Sequence, residues 1–147
     1  MRPTATKRNL DDTNLDTLQG GSRRRFFDGR DTAGSVYLVE GRMQPGEGVP
    51  PHVHTHEDEI FHVLEGSVEL YADGAWRPGR PGDIIFLPRG IPHAIRVPQD
   101  AGSARVLNYV FPGENFEAMF QAFETRGAGQ NAERKAAIAR EFGVTFL

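Results

Sequence analysis

The chain has 147 residues, of which 38% are hydrophobic and 25% are charged, and its formal net charge is −3. This length fits one domain with a sizeable core, and the mild acidity argues against nucleic acid as a partner. The absence of cysteine excludes disulfides, thiolate nucleophiles and sulfur-ligated metals. We find no signal-peptide pattern and no apolar run of membrane-spanning length, so we expect a cytoplasmic protein without membrane contact.

Residues 1–21 are mostly polar, and we expect them to form an arm that is disordered or lies along a partner. Gly20–Gly21 marks the predicted start of the folded domain. The basic run Arg23–Arg25 follows, and we interpret it as a solvated strand edge rather than a binding patch. We place the main domain at residues 22–112 and a C-terminal tail at residues 113–147.

Strand patterns dominate the main domain. Asp73–Gly74 predicts a hairpin turn, because both residues accept positive φ, and no helical periodicity occurs between Ser35 and Phe111. Many short strands punctuated by glycine and proline predict an all-β sandwich or barrel. The predicted strands are Ser35–Met43, Ile60–Leu64, Ser67–Tyr71, Ala75–Arg77, Asp83–Leu87, Ala94–Val97 and Ala104–Phe111.

The tail has helical periodicity. Four apolar residues fall at i, i+3, i+4 and i+7, which predicts one buried helix face: Phe116, Met119, Phe120 and Phe123. We predict Asn115 and Asn131 as N-caps of two helices and Gly143 as the stop of the second. These helices should pack outside the barrel or over its mouth, with their aromatic residues in the core.

Four of the five histidines lie between Gly46 and Gly66, and the fifth is His93. His52 and His54 are two residues apart, so on an extended strand both point to one face, and the preceding prolines favour that conformation. Glu59 shares parity with the apolar residues that follow it, and a carboxylate on an inner face needs a compensating cation. We therefore predict that His52, His54, Glu59 and His93 converge on one metal ion.

Other polar residues near these positions admit alternatives. His56 is an extra ligand, a partner of a ligand or an exposed loop residue, and we favour exposure. His62 has the opposite parity to Glu59 and should face away from the metal, as a packed or interface residue. We expect Glu57 and Asp58 to be solvent-facing turn residues. Asp83 is interpreted as a turn carboxylate that bonds nearby backbone.

Several large side chains have two interpretations: they line a cavity in the barrel, or they fill the barrel as core. We favour core packing for each. They are Tyr37, Phe61, Trp76, Phe86 and Tyr109. Met43 is interpreted as a gap filler.

The order and spacing of these residues resemble the two motifs of the cupin superfamily. The first motif is matched by Gly46, His52, His54, Glu59 and Gly66. The second is matched by Gly82, Pro88, Gly90 and His93. Val97 stands where the second motif ends in Asn. The resemblance implies a small jelly-roll β-barrel, often dimeric, with a metal inside held by His52, His54, Glu59 and His93.

A weaker resemblance, carried by Pro112–Gly113, Phe116–Glu117 and Phe120, links the tail to quercetin-dioxygenase-like single-domain bacterial cupins, in which a short helical tail follows the barrel. Our leading hypothesis is a metal-dependent dioxygenase acting on a small enolizable or phenolic compound, in which Glu59 also leaves the metal to act as a base. Three imidazoles and a carboxylate suit divalent Fe, Mn, Ni, Co, Cu or Zn. Such a site retains about one net positive charge and favours an anionic substrate oxygen. Isomerase, cyclase or lyase chemistry and a non-enzymatic binding module remain alternatives, and we expect a homodimer.

Overall fold

The computed structural model describes residues 2–13, 15, 17–18 and 22–147. The predicted domain start at Gly20–Gly21 lies outside these residues. The strands are β1 (Thr17–Leu18), β2 (Arg23–Phe27), β3 (Tyr37–Met43), β4 (Gly48–His54), β5 (Asp58–Glu65), β6 (Val68–Ala72), β7 (Ala75–Gly79), β8 (Ile84–Leu87), β9 (His93–Arg96), β10 (Ala104–Phe111) and β11 (Val144–Phe146). The helices are α1 (Glu114–Thr125) and α2 (Ala132–Glu141).

In the described part of the chain, the strands form two antiparallel sheets. The six-stranded sheet has the order β1-β2-β3-β10-β5-β8, and the five-stranded sheet has the order β11-β4-β9-β6-β7. Their inner faces pack together to form a jelly roll, as the sequence predicts. The two sheets are hydrogen-bonded separately and do not close into one ring, so the architecture is a double-sheet jelly roll.

Side-chain alternation explains where the core forms between the sheets. In β5, Glu59, Phe61 and Val63 are buried while the intervening residues are half-buried, which confirms the parity that the sequence indicates. Phe61 and Val63 pack against side chains of the opposite sheet, such as Leu70. Val97 belongs to the same cluster and is 1% exposed, so an apolar side chain fills the core at the position of the motif Asn.

The tail closes one end of the jelly roll. The predicted apolar face of α1 is buried and packs with Tyr37 and Val39 of β3. The side chain of Asn131 caps α2 by accepting from the Arg134 amide at 3.0 Å, as predicted. The Asn115 cap is wrong, because α1 begins at Glu114 and its N-cap is Gly113, two residues before Asn115.

Gly143 ends α2 with a φ of 80°, and the chain then forms a strand that the sequence analysis missed. β11 pairs with β4, with Phe146 opposite His52. Neither helix in the described residues combines the length and the apolar character needed to cross a membrane.

The interpretation of Arg23–Arg25 as a solvated edge is wrong. β2 lies between β1 and β3, and the side chains of Arg24 and Arg25 are only 14% and 11% exposed. Arg24 donates to the buried Glu40 at 2.7 Å, and Arg25 donates to Glu117. Two acidic partners on neighbouring elements draw these guanidinium groups inward.

Tyr37 and Phe61 are core residues as predicted, but Trp76 and Phe86 are exposed. The strands that carry them, β7 and β8, are the last strands of their sheets. Phe86 has the opposite parity to the buried Leu87 and is 60% exposed, so it faces away from the core. The Arg96 guanidinium instead covers the Trp76 ring, at 3.8 Å from its centroid.

Candidate metal centre

The four residues of the predicted metal site meet between the two sheets. His52 and His54 come from β4, His93 comes from β9, and Glu59 comes from β5 in the opposite sheet. Each offers a ligand atom, and these atoms all lie within 4.8 Å of one another. All four side chains are buried. Their role as metal ligands stays a prediction.

Pairing between the strands explains the convergence. His52 lies directly opposite His93 in the β4–β9 ladder. The loop that leads into β9 is anchored twice: the Gly90 amide donates to the His54 carbonyl at 2.8 Å, and the Arg89 amide donates to the Asp58 carboxylate at 2.8 Å. Gly90 has a φ of 82°, a conformation that glycine adopts without strain.

Backbone carbonyls orient two of the imidazole rings. Nδ1 of His52 lies 2.8 Å from the Pro50 carbonyl oxygen, and Nδ1 of His93 lies 3.2 Å from the Ile91 carbonyl oxygen. Because a carbonyl only accepts, Nδ1 of His52 carries the proton, which leaves the Nε2 lone pair of a neutral ring for a ligand. His52 is thus held in the tautomer that a metal requires, whereas both ring nitrogens of His93 face oxygen acceptors.

Glu57 orients the third ring. It was expected to face solvent, but it is 2% exposed and accepts from Nδ1 of His54 at 3.2 Å. Burial lowers the pKa of His54, but the hydrogen bond to Glu57 and the charge of Glu59 outweigh burial and raise that pKa above its ordinary value. Glu57 is buried because its carboxylate binds Nδ1 of His54. Residues in a turn have no regular periodicity, so the sequence did not predict this burial.

The inner atoms of the cluster require a positive charge between them. Nε2 of His93 lies 2.8 Å from Oε2 of Glu59, and Nε2 of His54 lies 3.6 Å from Oε1. If the only ring proton of His93 is on Nδ1, the lone pair of Nε2 faces the negatively charged Glu59 carboxylate, which is repulsive. A proton or a metal ion must then lie between Nε2 and the carboxylate. The donor set therefore fits a metal ion.

The titration of the cluster is dominated by burial and by mutual charge. Burial and the neighbouring His93 lower the pKa of His52 to about 4, so His52 is neutral at pH 7. Burial acts to raise the pKa of Glu59, but the hydrogen bond from His93 and the charge of His54 outweigh it and lower that pKa to about 2. An ionised carboxylate beside a neutral imidazole is a suitable pair for a divalent cation.

The remaining polar predictions have mixed outcomes. His56 is exposed, as favoured, and His62 lies half-buried on the outer face of β5. Asp83 is an exposed turn carboxylate that accepts from the Arg80 amide at 2.8 Å, as predicted. Asp58 is not simply solvent-facing, because it pairs with Arg89 at 3.0 Å.

Asn108 is a site residue that the sequence analysis missed. It is 8% exposed on β10, and its Nδ2 donates to Oε1 of Glu59 at 3.4 Å. Its Oδ1 is buried without a hydrogen-bond partner among the described residues. Asn108 shares strand parity with the buried Val106 and Val110, so a polar residue on an inner face was the available signal.

A cavity of about 1100 Å³ opens from the cluster. Aromatic residues of the tail contact the imidazoles directly, with Phe116 at 6.0 Å from His54 and Phe146 at 5.5 Å from His52 between ring centroids. Residues from both sheets and both helices contribute to the walls, including Arg23, Met43, Phe61, Asn108, Met119, Phe120, Phe123 and Lys135. The tail aromatics therefore serve both as core and as cavity wall.

Residues 39–110, which include the whole cluster, match the family model described as Cupin domain. The chain contains a cupin domain. Its jelly-roll fold and its buried His-His-Glu-His group agree with the motif resemblance given above.

This cupin is 27% identical over 92 residues to quercetin 2,3-dioxygenase from Bacillus subtilis, a match that covers 63% of the chain but only 26% of that enzyme. It is 31% identical to the tetracenomycin polyketide synthase protein TcmJ from Streptomyces glaucescens over 52% of each protein. The solved structure of the polyketide cyclase RemF from Streptomyces resistomycificus is 29% identical, with a TM-score of 0.60, over 72% of this chain and 80% of that one.

Proposed function

We propose that this cupin is a metal-dependent enzyme that acts on a small enolizable or phenolic compound. Dioxygenase chemistry is the leading candidate for its activity. The observation that carries this proposal is the buried cluster of three imidazoles and one carboxylate at the wall of a cavity of about 1100 Å³. Cavities of this size accept small organic ligands. The similarity to quercetin 2,3-dioxygenase supports the oxidative version.

His52, His54, Glu59 and His93 would hold one divalent transition metal, drawn from Fe, Mn, Ni, Co, Cu and Zn. Such an ion acts as a Lewis acid toward a substrate oxygen and, where it is redox-active, supports chemistry with dioxygen. Its remaining charge after pairing with Glu59 favours an anionic substrate oxygen.

The side chains around the cluster prepare it for this chemistry. Glu59 is ionised, because its pKa is lowered to about 2, which suits an anionic metal ligand. As a base, it would first have to leave the metal and then accept the proton of an enol or phenol hydroxyl. Asn108 holds Oε1 of Glu59 through Nδ2 and so orients the carboxylate. Phe116 and Phe146 pack on the imidazoles and exclude water from that side of the site.

Redox-neutral chemistry is the second candidate. RemF is called a polyketide cyclase, and 80% of the RemF chain aligns with this chain in structure. A cyclase, isomerase or lyase would use the same cluster to stabilise an enolate but would need no dioxygen. A cupin that binds such compounds without turnover is the third reading.

Dioxygen uptake separates these candidates. Protein loaded with Fe, Mn, Ni or Co would be tested against flavonols and β-diketones in an oxygen electrode, with parallel anaerobic reactions analysed by mass spectrometry. We expect uptake with the loaded wild type and at least a tenfold loss in His93→Ala, with His56→Ala as the control. Product formed without dioxygen would favour the second candidate, and no uptake with any metal would overturn the first.

The homodimer also stays a proposal, and the outer face of the six-stranded sheet is the surface that supports it. Ile84 and Phe86 on β8 are 66% and 60% exposed. They lie opposite His62 and Ile60 of β5, which are half-buried on the same face. Adjacent exposed apolar side chains of this kind mark association surfaces, and a second copy would bury the same patch on both partners.

A further inference from the structure

We propose that Gly41 determines how far a ligand can extend from the metal cluster. The cavity would then take a compound of two parts, with an oxygen-bearing head at the cluster and an apolar extension that lies over Gly41. This inference rests on the proposed function, because it concerns the substrate of the same site. It deepens that proposal by naming the residue that sets the permitted length of the substrate.

Gly41 leaves a gap in the inner face of β3. Side chains alternate along this strand, and Tyr37 and Val39 are 0% exposed in the core. Gly41 has the same parity and lines the cavity. It lies opposite Val106 of β10 on one side and opposite Arg23 of β2 on the other. The wall of the cavity therefore lacks a side chain at this point.

Neither the backbone nor the packing of the described residues requires glycine at this position. The φ of Gly41 lies outside the left-handed region, and its ladder with β10 is regular. A Cβ added to Gly41 would have one neighbour within 4 Å among the described residues, the Val106 carbonyl oxygen at 3.9 Å. That distance is an ordinary van der Waals contact, so the backbone accepts a side chain here.

The other glycines that line the cavity have structural reasons. Gly46, Gly127 and Gly129 have φ of 83°, 61° and 51°, a region that favours glycine. A Cβ added to Gly48 would collide with a carbonyl oxygen of β9. Glycine inside a strand weakens it and often marks the close approach of a ligand or of another backbone. Since no backbone crowds Gly41, the space over it is left for a ligand.

The strand register places Gly41 one step beyond the cluster. On β10, Asn108 lies opposite Val39 and Val106 lies opposite Gly41. The Glu59 carboxylate reaches the level of Asn108, because Nδ2 of Asn108 donates to it at 3.4 Å. Two residues of strand, about 7 Å, separate that level from the level of Gly41. A ligand with its oxygen at the cluster therefore reaches Gly41 only if it carries a further segment.

The wall beyond the metal cluster is apolar. Val106 and Ile95 are each 4% exposed, and Met43 packs against the same apolar core. All three residues line the cavity. Burying a methylene group in such surroundings improves binding by up to about fourfold. A phenol or enol with an aliphatic extension combines the head that the metal cluster would bind with a body that this part of the wall would bury.

The test is a calorimetric titration of the whole chain, loaded with Zn²⁺, with phenol and with 4-butylphenol. We expect the wild type to bind 4-butylphenol at least tenfold more tightly than phenol. Gly41→Val should weaken 4-butylphenol at least tenfold and phenol less than threefold, because the added side chain occupies only the space of the extension. Gly102→Val is the matched control, because a Cβ at Gly102 also has open space but Gly102 lies outside the cavity. Both ligands should change less than threefold in this variant.

Every other pattern contradicts the proposal. It is overturned if the wild type gains nothing from phenol to 4-butylphenol, if Gly41→Val keeps wild-type affinities, or if it loses both ligands equally, which would indicate a distorted site. Should Gly41→Val not fold, Gly41→Ala should weaken 4-butylphenol at least threefold with phenol unchanged, and no weakening would overturn the proposal. Gly41→Ala should also melt no lower than the wild type. A lower melting temperature would show that the fold itself requires glycine, and it would overturn the proposal.

The titration also separates this inference from the proposed enzymatic activity. It requires neither dioxygen nor turnover, so a failure to consume dioxygen would leave the binding result standing. Repeated on metal-free protein, it should show the same effect of Gly41→Val on 4-butylphenol, and loss of that effect would overturn the role of Gly41. Dioxygen uptake by the wild type, together with an unchanged affinity in Gly41→Val, would keep the enzymatic proposal and overturn the role of Gly41.

Discussion

Nε2 of His93 lies 2.8 Å from Oε2 of Glu59, although 34 positions separate the two residues in the chain. The other ring nitrogen of His93 faces the Ile91 carbonyl at 3.2 Å and so carries a proton. Because both ring nitrogens of His93 face oxygen atoms that only accept, either a second proton or a metal ion must lie between His93 and Glu59. We expect a metal ion to supply that positive charge.

Glu57→Gln should weaken metal binding without removing a predicted ligand. Glu57 accepts from Nδ1 of His54 at 3.2 Å, and loss of such a partner typically reduces metal affinity by about 10- to 100-fold. Competition with a chromophoric chelator measures the change. His56→Ala is the matched control, because His56 is exposed in the same turn, and its affinity should equal that of the wild type. Wild-type affinity in Glu57→Gln would show that Glu57 does not orient a ligand.

Asn108→Val should preserve stability while impairing function. Oδ1 of Asn108 is buried without a partner in the described structure, so its removal breaks no bond, and the bond that Nδ2 makes to Glu59 is long, at 3.4 Å, so that its loss costs about 1 kcal/mol. We expect thermal unfolding within about 1 kcal/mol of the wild type, unchanged metal content and at least a tenfold loss of turnover. A large loss of stability would instead make Asn108 a structural residue.

Glu40→Gln should destabilise the fold and change its acid sensitivity. The Glu40 carboxylate is fully buried and accepts from Arg24 at 2.7 Å and from Arg105 at 2.5 Å. Breaking a buried pair of this kind costs about 3 kcal/mol, measured by denaturant unfolding at pH 7. The exposed pair of Glu69 and Arg96 provides the control, because Glu69→Gln should cost less than about 1 kcal/mol.

The pH dependence of the same variant follows from the direction of the pKa shift. Burial acts to raise the pKa of Glu40, but hydrogen bonds from Arg24 and Arg105 outweigh it and hold that pKa below its ordinary value. The resulting stability is present above the unfolded pKa of about 4.3 and is lost as the pH falls through the folded pKa. The difference in stability between wild type and Glu40→Gln should therefore shrink progressively as the pH falls below about 4. A constant difference between them down to pH 2 would contradict this assignment.

Phe86→Asp should dissociate the proposed homodimer. Phe86 is 60% exposed beside Ile84, and a charge placed in an apolar interface is strongly unfavourable. Light scattering after size exclusion should give twice the 16.3 kDa chain mass for the wild type and the monomer mass for the variant. A monomeric wild type, or a variant that remains dimeric, would remove this surface from consideration. Asp73→Asn is the control, because Asp73 is exposed in the β6–β7 turn, and this variant should have the same mass in solution as the wild type.

The parity of residues on extended strands explains why the site was predictable. His52 and His54 are two apart, Glu59 aligns with Phe61, and motif spacing brings in His93, so each side chain is directed by a regular period. Glu57 follows no such period, because it lies in a turn whose direction depends on the ring it must bond. The structure of turns and the partners they find are tertiary properties.

Sheet order and chain ends account for the other differences. Phe86 was predicted as core because its strand is apolar throughout, but Phe86 shares parity with the exposed Ile84 and lies on the outer face of the sheet. β11 has three residues, too few to show alternation, yet it brings Phe146 against His52. Arg23 lines the cavity, which a run of three arginines does not reveal.

The most direct test of the central claim is anomalous diffraction from crystals of metal-loaded wild-type protein, collected at the absorption edge of the metal. We predict one strong peak per chain within about 2.0–2.4 Å of Nε2 of His52, His54 and His93 and of a Glu59 oxygen, with Glu59 and His93 no longer in direct hydrogen bond. A direct His93–Glu59 bond with no anomalous peak between the two sheets, in protein shown to be metal-replete by elemental analysis, would contradict the account.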